Sequence, residues 1–178
     1  MNLNKIHESS IVTSSKLGKD VFIDAFSSLK ECIIGDGVKI HKYCNLYSCE
    51  VKKGTQLGSH ITIQNNVVIG KNCKIGDFVF IAEGSRIGDN VMLCMGSKLC
   101  NDKHPAATNK DGSLKTRKDW KLEPVKIKGG ATLGCGAIIL PGVVVGKNAL
   151  CGAGSVVTKD VGDKEVVVGN PAKKLRKK

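Results

Sequence analysis

The chain has 178 residues, of which 41% are hydrophobic and 25% charged, ordinary proportions for a globular protein. No stretch approaches the roughly 20 apolar residues of a membrane span, and residues 1–5 lack the apolar core of a signal peptide, so we expect one cytoplasmic domain over residues 1–178, without membrane insertion. The formal net charge of +12 indicates a solvated basic surface or a phosphate-rich ligand, whereas no helix-turn-helix pattern, zinc spacing or aromatic platform favours nucleic acid.

An aliphatic residue recurs every six positions along most of the chain. The repeat runs over residues 11–99 and 127–157, with two five-residue steps at 29–34 and 46–51. A period of six fits neither a helix nor a single strand. It predicts a coil with three flat sides and one hexad on each side, and the number of repeats corresponds to about seven stacked coils.

A second position in each hexad supports this interpretation. The residue four places after each aliphatic residue is small or β-branched, as at Val38, Thr55 and Ser97, and we expect it to point inward where space is limited. Several cysteines also fall inside the predicted coil, where small buried thiols are common, namely Cys32, Cys44, Cys49 and Cys73. Three others follow aliphatic corners and are expected to be more exposed, namely Cys94, Cys100 and Cys135. The absence of a C-x-x-C pair argues against structural zinc.

The repeat is interrupted once, by a polar loop at residues 100–126 that is rich in ionisable groups. A loop of this length in a regular scaffold commonly carries function. The tail, residues 162–178, also leaves the repeat. Within it, Val166–Val168 is expected to form a strand, and residues 172–178 a short helix or a frayed end.

The repeats at Ile69–Lys74 and Val145–Leu150, together with the ending at Gly152–Val161 and Val168–Ala172, resemble those of the hexapeptide-repeat acyltransferases. The resemblance covers nearly the whole chain. It implies an all-β fold, a left-handed parallel β-helix with one long loop insertion and a short C-terminal tail or helix. It also implies a homotrimer that binds acyl-CoA in a groove between neighbouring prisms.

The loop resembles that of the N-acetyltransferases of nucleotide-linked 3-amino sugars, through residues 101–108, 111–114 and 119–120. This implies an acetyl-CoA-dependent N-acetyltransferase that acts on a dTDP- or UDP-linked amino sugar for surface glycan synthesis, as in lipopolysaccharide O-antigen. The pair His104-Pro105 instead resembles the maltose and galactoside O-acetyltransferases, in which the histidine is the general base. Sugar O-acetylation is therefore the alternative. Cys94-Met95 also departs from the relatives, which usually have Gly and often His there.

The resemblance assigns roles to four acceptor-side residues. Asn101 and Asp102 would hold and orient the amine, and His104 would act as general base or as a hydrogen-bond partner of the sugar. Glu83, eighteen residues before Asn101 and therefore one coil below it, would contact the sugar. The alternatives for these residues are a loop-starting Asx turn, a solvated loop histidine and an exposed turn carboxylate.

The resemblance places the donor on a second group of residues. Cys135 and Ala153 would contact the pantetheine arm of CoA through backbone groups, and Thr158, Lys159 and Lys173 would contact phosphates. Trp120 is expected to pack the loop on the prism, or to stack on a base. No metal is expected, because the histidines lack the spacing of a zinc-binding γ-class carbonic anhydrase; they are His7, His41, His60 and His104.

Overall fold

The computed structural model describes residues 3–175, and all regular structure among these residues is β-strand. The first nine strands are β1 (Lys5–Ile6), β2 (Ile11–Thr13), β3 (Lys16–Leu17), β4 (Phe22–Ile23), β5 (Ser28–Lys30), β6 (Ile33–Ile34), β7 (Lys39–Ile40), β8 (Asn45–Tyr47) and β9 (Glu50–Val51). The next eight are β10 (Gln56–Leu57), β11 (Thr62–Ile63), β12 (Val68–Ile69), β13 (Lys74–Ile75), β14 (Phe80–Ile81), β15 (Arg86–Ile87), β16 (Met92–Leu93) and β17 (Lys98–Leu99). The last eight are β18 (Lys126–Ile127), β19 (Thr132–Leu133), β20 (Ile138–Ile139), β21 (Val144–Val145), β22 (Leu150–Cys151), β23 (Val156–Val157), β24 (Val166–Val168) and β25 (Lys173–Lys174).

Every third strand pairs with its counterpart in the next coil, which gives a three-sided β-helix. Sheet 1 has ten strands, in the order β1-β4-β7-β10-β13-β16-β19-β22-β24-β25. Sheet 2 has eight, in the order β2-β5-β8-β11-β14-β17-β20-β23, and sheet 3 has seven, in the order β21-β18-β15-β12-β9-β6-β3. All pairs are parallel except β24 with β25. We name the three rows of turns by the sheets they connect: corner 1/2, corner 2/3 and corner 3/1.

The core fills the interior of the prism, as the six-residue repeat predicts. Aliphatic residues such as Ile40, Leu57 and Ile69 are fully buried, and the second inward position is equally buried at Val38 and Thr55. The stack has about nine coils, more than the predicted seven, because β1 and β24 extend it beyond the recognised repeat. The cysteine prediction is confirmed, since Cys135 is exposed, Cys94 and Cys100 are half-buried, and Cys32, Cys44, Cys49 and Cys73 are buried.

One position in the predicted repeat is wrong. Ile11 was expected to point inward, but it is 65% exposed, and Val12 faces the core opposite Leu29. Two adjacent aliphatic residues fit the pattern equally well, and the three-residue strand β2 selects the second of them.

The tail forms the predicted strand at Val166–Val168, but the predicted helix is wrong over residues 172–175. Lys173–Lys174 instead pairs antiparallel with β24, and residues 176–178 lie outside the described part. The tail also contacts the last strand of the other two sheets. Ala172 N–H donates to the Val156 carbonyl oxygen at 2.8 Å, and Val161 N–H donates to that of Val144 at 2.9 Å. Over residues 3–175, no helix is long and apolar enough to span a membrane.

Candidate active site

The long loop leaves the prism at corner 2/3, between β17 and β18. In the turns of this corner, Glu83 lies one coil below Asn101, and Thr158 and Lys159 lie two coils above it. The Asn101 Nδ2 donates to the Glu83 carbonyl oxygen at 3.4 Å. Corner 2/3 therefore carries both the predicted acceptor residues and part of the predicted donor site.

A cavity of about 520 Å³ lies between sheet 2 and the returning loop. Its lining residues are Tyr47, Thr62, Gln64, Asn65, Glu83, Asn101, Asp102 and Trp120. The lining combines two carboxylates, three amides, two hydroxyls and an indole, a mixture suited to a polar ligand with an apolar face. Three of the four predicted acceptor residues, Glu83, Asn101 and Asp102, thus share one cavity.

Glu83 is held by contacts that sequence analysis did not identify. Its backbone N–H donates to Gln64 Oε1 at 3.0 Å, and its carboxylate pairs with the Arg117 guanidinium at 3.3 Å. Arg117 in turn lies 4.6 Å above the centre of the Trp120 ring, within cation–π range. Trp120 therefore lines the cavity on the loop side, and Arg117 connects the loop to Glu83 of the prism.

His104 lies beside this cavity rather than in its lining. Its side chain is exposed, and its backbone N–H donates to Asp102 Oδ1 at 2.8 Å. It lines a second cavity of about 240 Å³ that shares Asp102 and Trp120 with the first and adds Lys103, Lys115 and Lys121. The side chain of His104 therefore faces the second cavity, and its backbone fixes the orientation of Asp102.

Charged contacts close the base of the loop. Lys103 Nζ lies 2.7 Å from Glu123 Oε2, and this contact holds the pKa of the Glu123 carboxyl below its usual range. The pKa of Asp119 is lowered by hydrogen bonds from the backbone N–H and hydroxyl of Thr116. The anionic form of each carboxylate therefore stabilises the loop in this position.

The predicted pantetheine contacts lie at corner 1/2, the opposite edge of sheet 2. Cys135 and Ala153 are exposed, stacked one coil apart, and joined by a bond from Gly154 N–H to the Cys135 carbonyl oxygen at 2.8 Å. Lys173, in β25, lies above them. The structure thus groups Cys135, Ala153 and Lys173 at one corner, and Thr158 and Lys159 at the other.

The described residues contain no group of three His, Cys, Asp or Glu side chains placed to hold a metal ion. The chemistry that this arrangement offers is electrostatic and positional. Carboxylates give the cavity a negative lining, and exposed lysines lie at corner 2/3 two coils above it and on its rim.

Two family models match the repeats: bacterial transferase hexapeptide (six repeats), at residues 48–83 and 66–101, and hexapeptide repeat of succinyl-transferase, at residues 124–159. The chain belongs to the hexapeptide-repeat transferases. The chain is 38% identical over 120 residues to a Schizosaccharomyces pombe protein that carries an acetyltransferase name, a match covering 66% of this chain and 43% of the relative.

A second relative is the galactoside O-acetyltransferase of Lactococcus lactis, 42% identical over 74 residues, a match covering 42% of this chain and 34% of the relative. The matches therefore span less than half the length of these curated relatives. Among solved structures, the polySia-specific acetyltransferase NeuO aligns with a TM-score of 0.64 at 20% identity, covering 98% of this chain and 86% of that one. This likeness shows the fold, the left-handed β-helix.

Proposed function

We propose that the protein is an acetyl-CoA-dependent N-acetyltransferase whose acceptor is an amino sugar linked to dTDP or UDP, made for surface glycan synthesis. The observation that carries this proposal is the pair of carboxylates, Glu83 and Asp102, in one cavity beside Asn101. The Glu83 carboxylate also pairs with Arg117, so it is chiefly the negative charge of Asp102 that favours an ammonium ligand over a neutral hydroxyl. Tyr47 and Trp120 at the same cavity suit the apolar face of a sugar ring.

In the proposed reaction, the deprotonated amine attacks the thioester carbon. A C–N bond forms, the C–S bond breaks, and the proton of the amine passes to the departing CoA thiolate. In this proposal, Asn101 and Asp102 hold and orient the amine, and His104 positions the acceptor at the cavity mouth. A sugar amine is partly unprotonated near neutral pH, so it needs little general-base assistance.

We also propose which residues contact the acyl-CoA donor. Backbone groups at Cys135 and Ala153 suit the amides of an extended pantetheine arm, and Lys159 and Lys173 suit its phosphates. The two edges of sheet 2 are separated by about four extended residues, or about 13 Å. We therefore propose a homotrimer in which corner 2/3 of one copy faces corner 1/2 of the next, so that amine and thioester meet.

The test is a panel of acceptors with acetyl-CoA and detection of released thiol. We expect turnover with nucleotide-linked amino sugars and none with the matching nucleotide hexoses. Asp102→Asn should lower kcat/KM about 10- to 100-fold, as expected for loss of a charged hydrogen bond. The matched control is Asp111→Asn, since Asp111 lies in the same loop but bonds only to Ser113. Equal effects of the two substitutions would refute the role of Asp102.

A specific observation favours a second candidate, sugar O-acetylation. His104 precedes Pro105, and the chain is 42% identical over 74 residues to a galactoside O-acetyltransferase. In that reaction His104 would remove the proton from a hydroxyl, a step that needs a base in contact with it. Acetylation of a plain sugar hydroxyl, with failure on every amine, would select this candidate.

A further inference from the structure

In four consecutive turns of corner 1/2, an aromatic residue has a left-handed backbone conformation. They form the aromatic ladder, Phe26, Tyr43, His60 and Phe78, with φ of 59°, 60°, 58° and 59°. Their ring centres are 5.3, 4.8 and 4.8 Å apart and their planes within 16° of parallel. Bulky residues rarely adopt positive φ. The same position at corner 3/1 carries mainly the residues that tolerate it, including Asp20, Gly37, Gly54, Asn72, Asn90, Gly130 and Asn148.

The aromatic ladder ends abruptly at Phe78, two coils below Cys135 in the same corner. The next position is Gly96, with φ of 73°. A Cβ built there would meet only backbone atoms of Gly136, at 3.8 Å, and one built at Gly136 or Gly154 would meet no described atom within 4 Å. Phe78 is 62% exposed, and its neighbour in the next coil, Met95, is 58% exposed. The upper face of the last ring therefore borders open space.

We propose that Phe78 and Met95 form the acyl-group subsite of the donor groove, and that this subsite binds apolar acyl groups longer than acetyl. The inference rests on the proposed function, because it takes the donor to be an acyl-CoA bound at Cys135 and Ala153. The acyl chain lies where the next ring of the aromatic ladder would lie. The polarisable thioether of Met95 adapts to chains of different shape.

The length of the donor supports this placement. An extended phosphopantetheine arm has about the length of five extended residues, about 17 Å. Successive coils are about 4.8 Å apart. A donor whose phosphates contact Lys159 and Lys173 therefore brings its sulfur three to four coils lower, between Gly96 and Phe78.

The height of the acceptor cavity agrees with this position. Phe78 and Glu83 belong to one coil, joined by β14, and Met95 and Asn101 belong to the next, joined by β17. The thioester therefore lies at the level of the acceptor residues when corner 1/2 of one copy faces corner 2/3 of its neighbour. A second copy covering Phe78 is the other possible occupant of this surface, and the test below distinguishes it.

The experiment measures binding of acetyl-CoA and butyryl-CoA by titration calorimetry, which needs no acceptor. Each methylene transferred from water to an apolar contact changes affinity about fourfold, so butyryl-CoA, with two more methylenes than acetyl-CoA, should bind the unmodified protein about 15-fold more tightly. Phe78→Asn should abolish this preference, and Gly96→Asn should do the same by filling the space. Asn tolerates positive φ, so both variants should fold.

The matched control is Phe26→Asn, the same change at the other end of the aromatic ladder with the same φ; it should retain the preference for butyryl-CoA. Equal affinities of the unmodified protein for the two thioesters, or an unchanged preference in Phe78→Asn, would overturn the acyl-group subsite without contradicting the proposed function. Failure to bind either thioester would overturn the donor site of the proposed function. A change in molar mass by light scattering in Phe78→Asn, with the preference retained, would assign the surface to a second copy and overturn the subsite.

Discussion

His104 separates the two candidate reactions at the scale of a single residue. Its side chain is exposed and lines the smaller cavity, whereas Asp102 lines both cavities and receives the His104 N–H. This arrangement fits a residue that positions the acceptor and the neighbouring carboxylate. A general base would need its imidazole nitrogen within hydrogen-bond distance of the acceptor atom.

We expect His104→Asn to keep measurable turnover with a nucleotide-linked amino sugar, losing about 10-fold or less in kcat, because the backbone bond to Asp102 is retained. If the acceptor were a hydroxyl, loss of a general base would cost about 10²- to 10⁴-fold. The measurement is kcat on the amine and hydroxyl acceptors. A drop beyond about a thousandfold on the amine, in a protein of unchanged molar mass, would contradict the positioning role.

Lys159 tests the donor corner independently of the acceptor. Lys159→Glu should raise the KM for acetyl-CoA about 10- to 100-fold, because it replaces a charged contact to phosphate with a repulsive one. Lys147→Glu makes the same charge change at corner 3/1, on an exposed side chain outside the proposed groove, and should leave KM nearly unchanged. Equal KM values for the two variants at low ionic strength would show that the phosphates bind elsewhere.

Sequence patterns identified the residues of corner 2/3 that follow the repeat, but missed those that reach it from elsewhere. Glu83 and Asn101 are eighteen residues apart, so the repeat alone places them one coil apart. Arg117 and Tyr47 carry no such signal, because their place depends on how the loop folds back and on which side chains of sheet 2 face it. Contacts made by an irregular loop do not follow the period of the scaffold.

At the scale of elements, the loop is anchored by two carboxylates whose pKa values are lowered in the folded chain, Glu123 and Asp119. A carboxyl with a lowered folded-state pKa stabilises the fold above its unfolded pKa, and this contribution is lost as pH falls through the folded value. The loop should therefore loosen in acid before the prism does.

We expect amide hydrogen exchange of residues 102–123, corrected for the intrinsic rate, to increase between about pH 6 and about pH 3. Glu123→Gln removes the ion pair with Lys103 and should raise exchange at the base of the loop already at about pH 6. Peptides of the prism interior, such as residues 56–69, serve as the internal control. Loop exchange that is independent of pH in the unmodified protein would contradict this anchor.

The aromatic ladder allows a second prediction at this scale. Each left-handed aromatic residue costs about 1–2 kcal/mol, and each ring pair contributes about 0.5–1.5 kcal/mol. Tyr43 stacks on two rings and Phe26 on one. Tyr43→Asn should therefore be more destabilising than Phe26→Asn, whose effect should be near zero, in urea unfolding. A greater loss for Phe26→Asn would contradict stacking as the source of the difference.

The strands themselves were largely predictable, because each buried position repeats a simple requirement for size and polarity. The errors have physical causes. Ile11 and Val12 are both aliphatic, so the pattern could not choose between them, and the pairing of Val12 with Leu29 decides it. Lys173–Lys174 became a strand because the edge of β24 offers it hydrogen bonds, a tertiary effect that local propensity does not contain.

At the scale of the whole molecule, the predicted acceptor residues lie at corner 2/3 and the predicted pantetheine contacts at corner 1/2. We call these two groups half-sites, and their separation allows a test of the trimer. Asp102→Asn damages the acceptor side at corner 2/3, and Ala153→Trp blocks the donor side at corner 1/2. If each site combines two copies, unfolding and refolding an equal mixture should restore activity to about one site in four by random assortment. Each variant refolded alone is the control, and light scattering should give the mass of three chains. No recovery in a confirmed mixed trimer would place both half-sites in one copy.

The tail has a consequence for how the molecule ends. Sheet edges with free backbone groups are templates for association with another chain. Residues 161–175 give the last strand of each sheet a backbone partner, and β25 runs against the direction of every other strand of sheet 1. At this end of the described residues, sheet 1 therefore offers a second prism no parallel edge on which to continue the winding. We therefore expect the tail to hinder head-to-tail association at this end, and a chain cut after Thr158 to be prone to polymerise along its own axis.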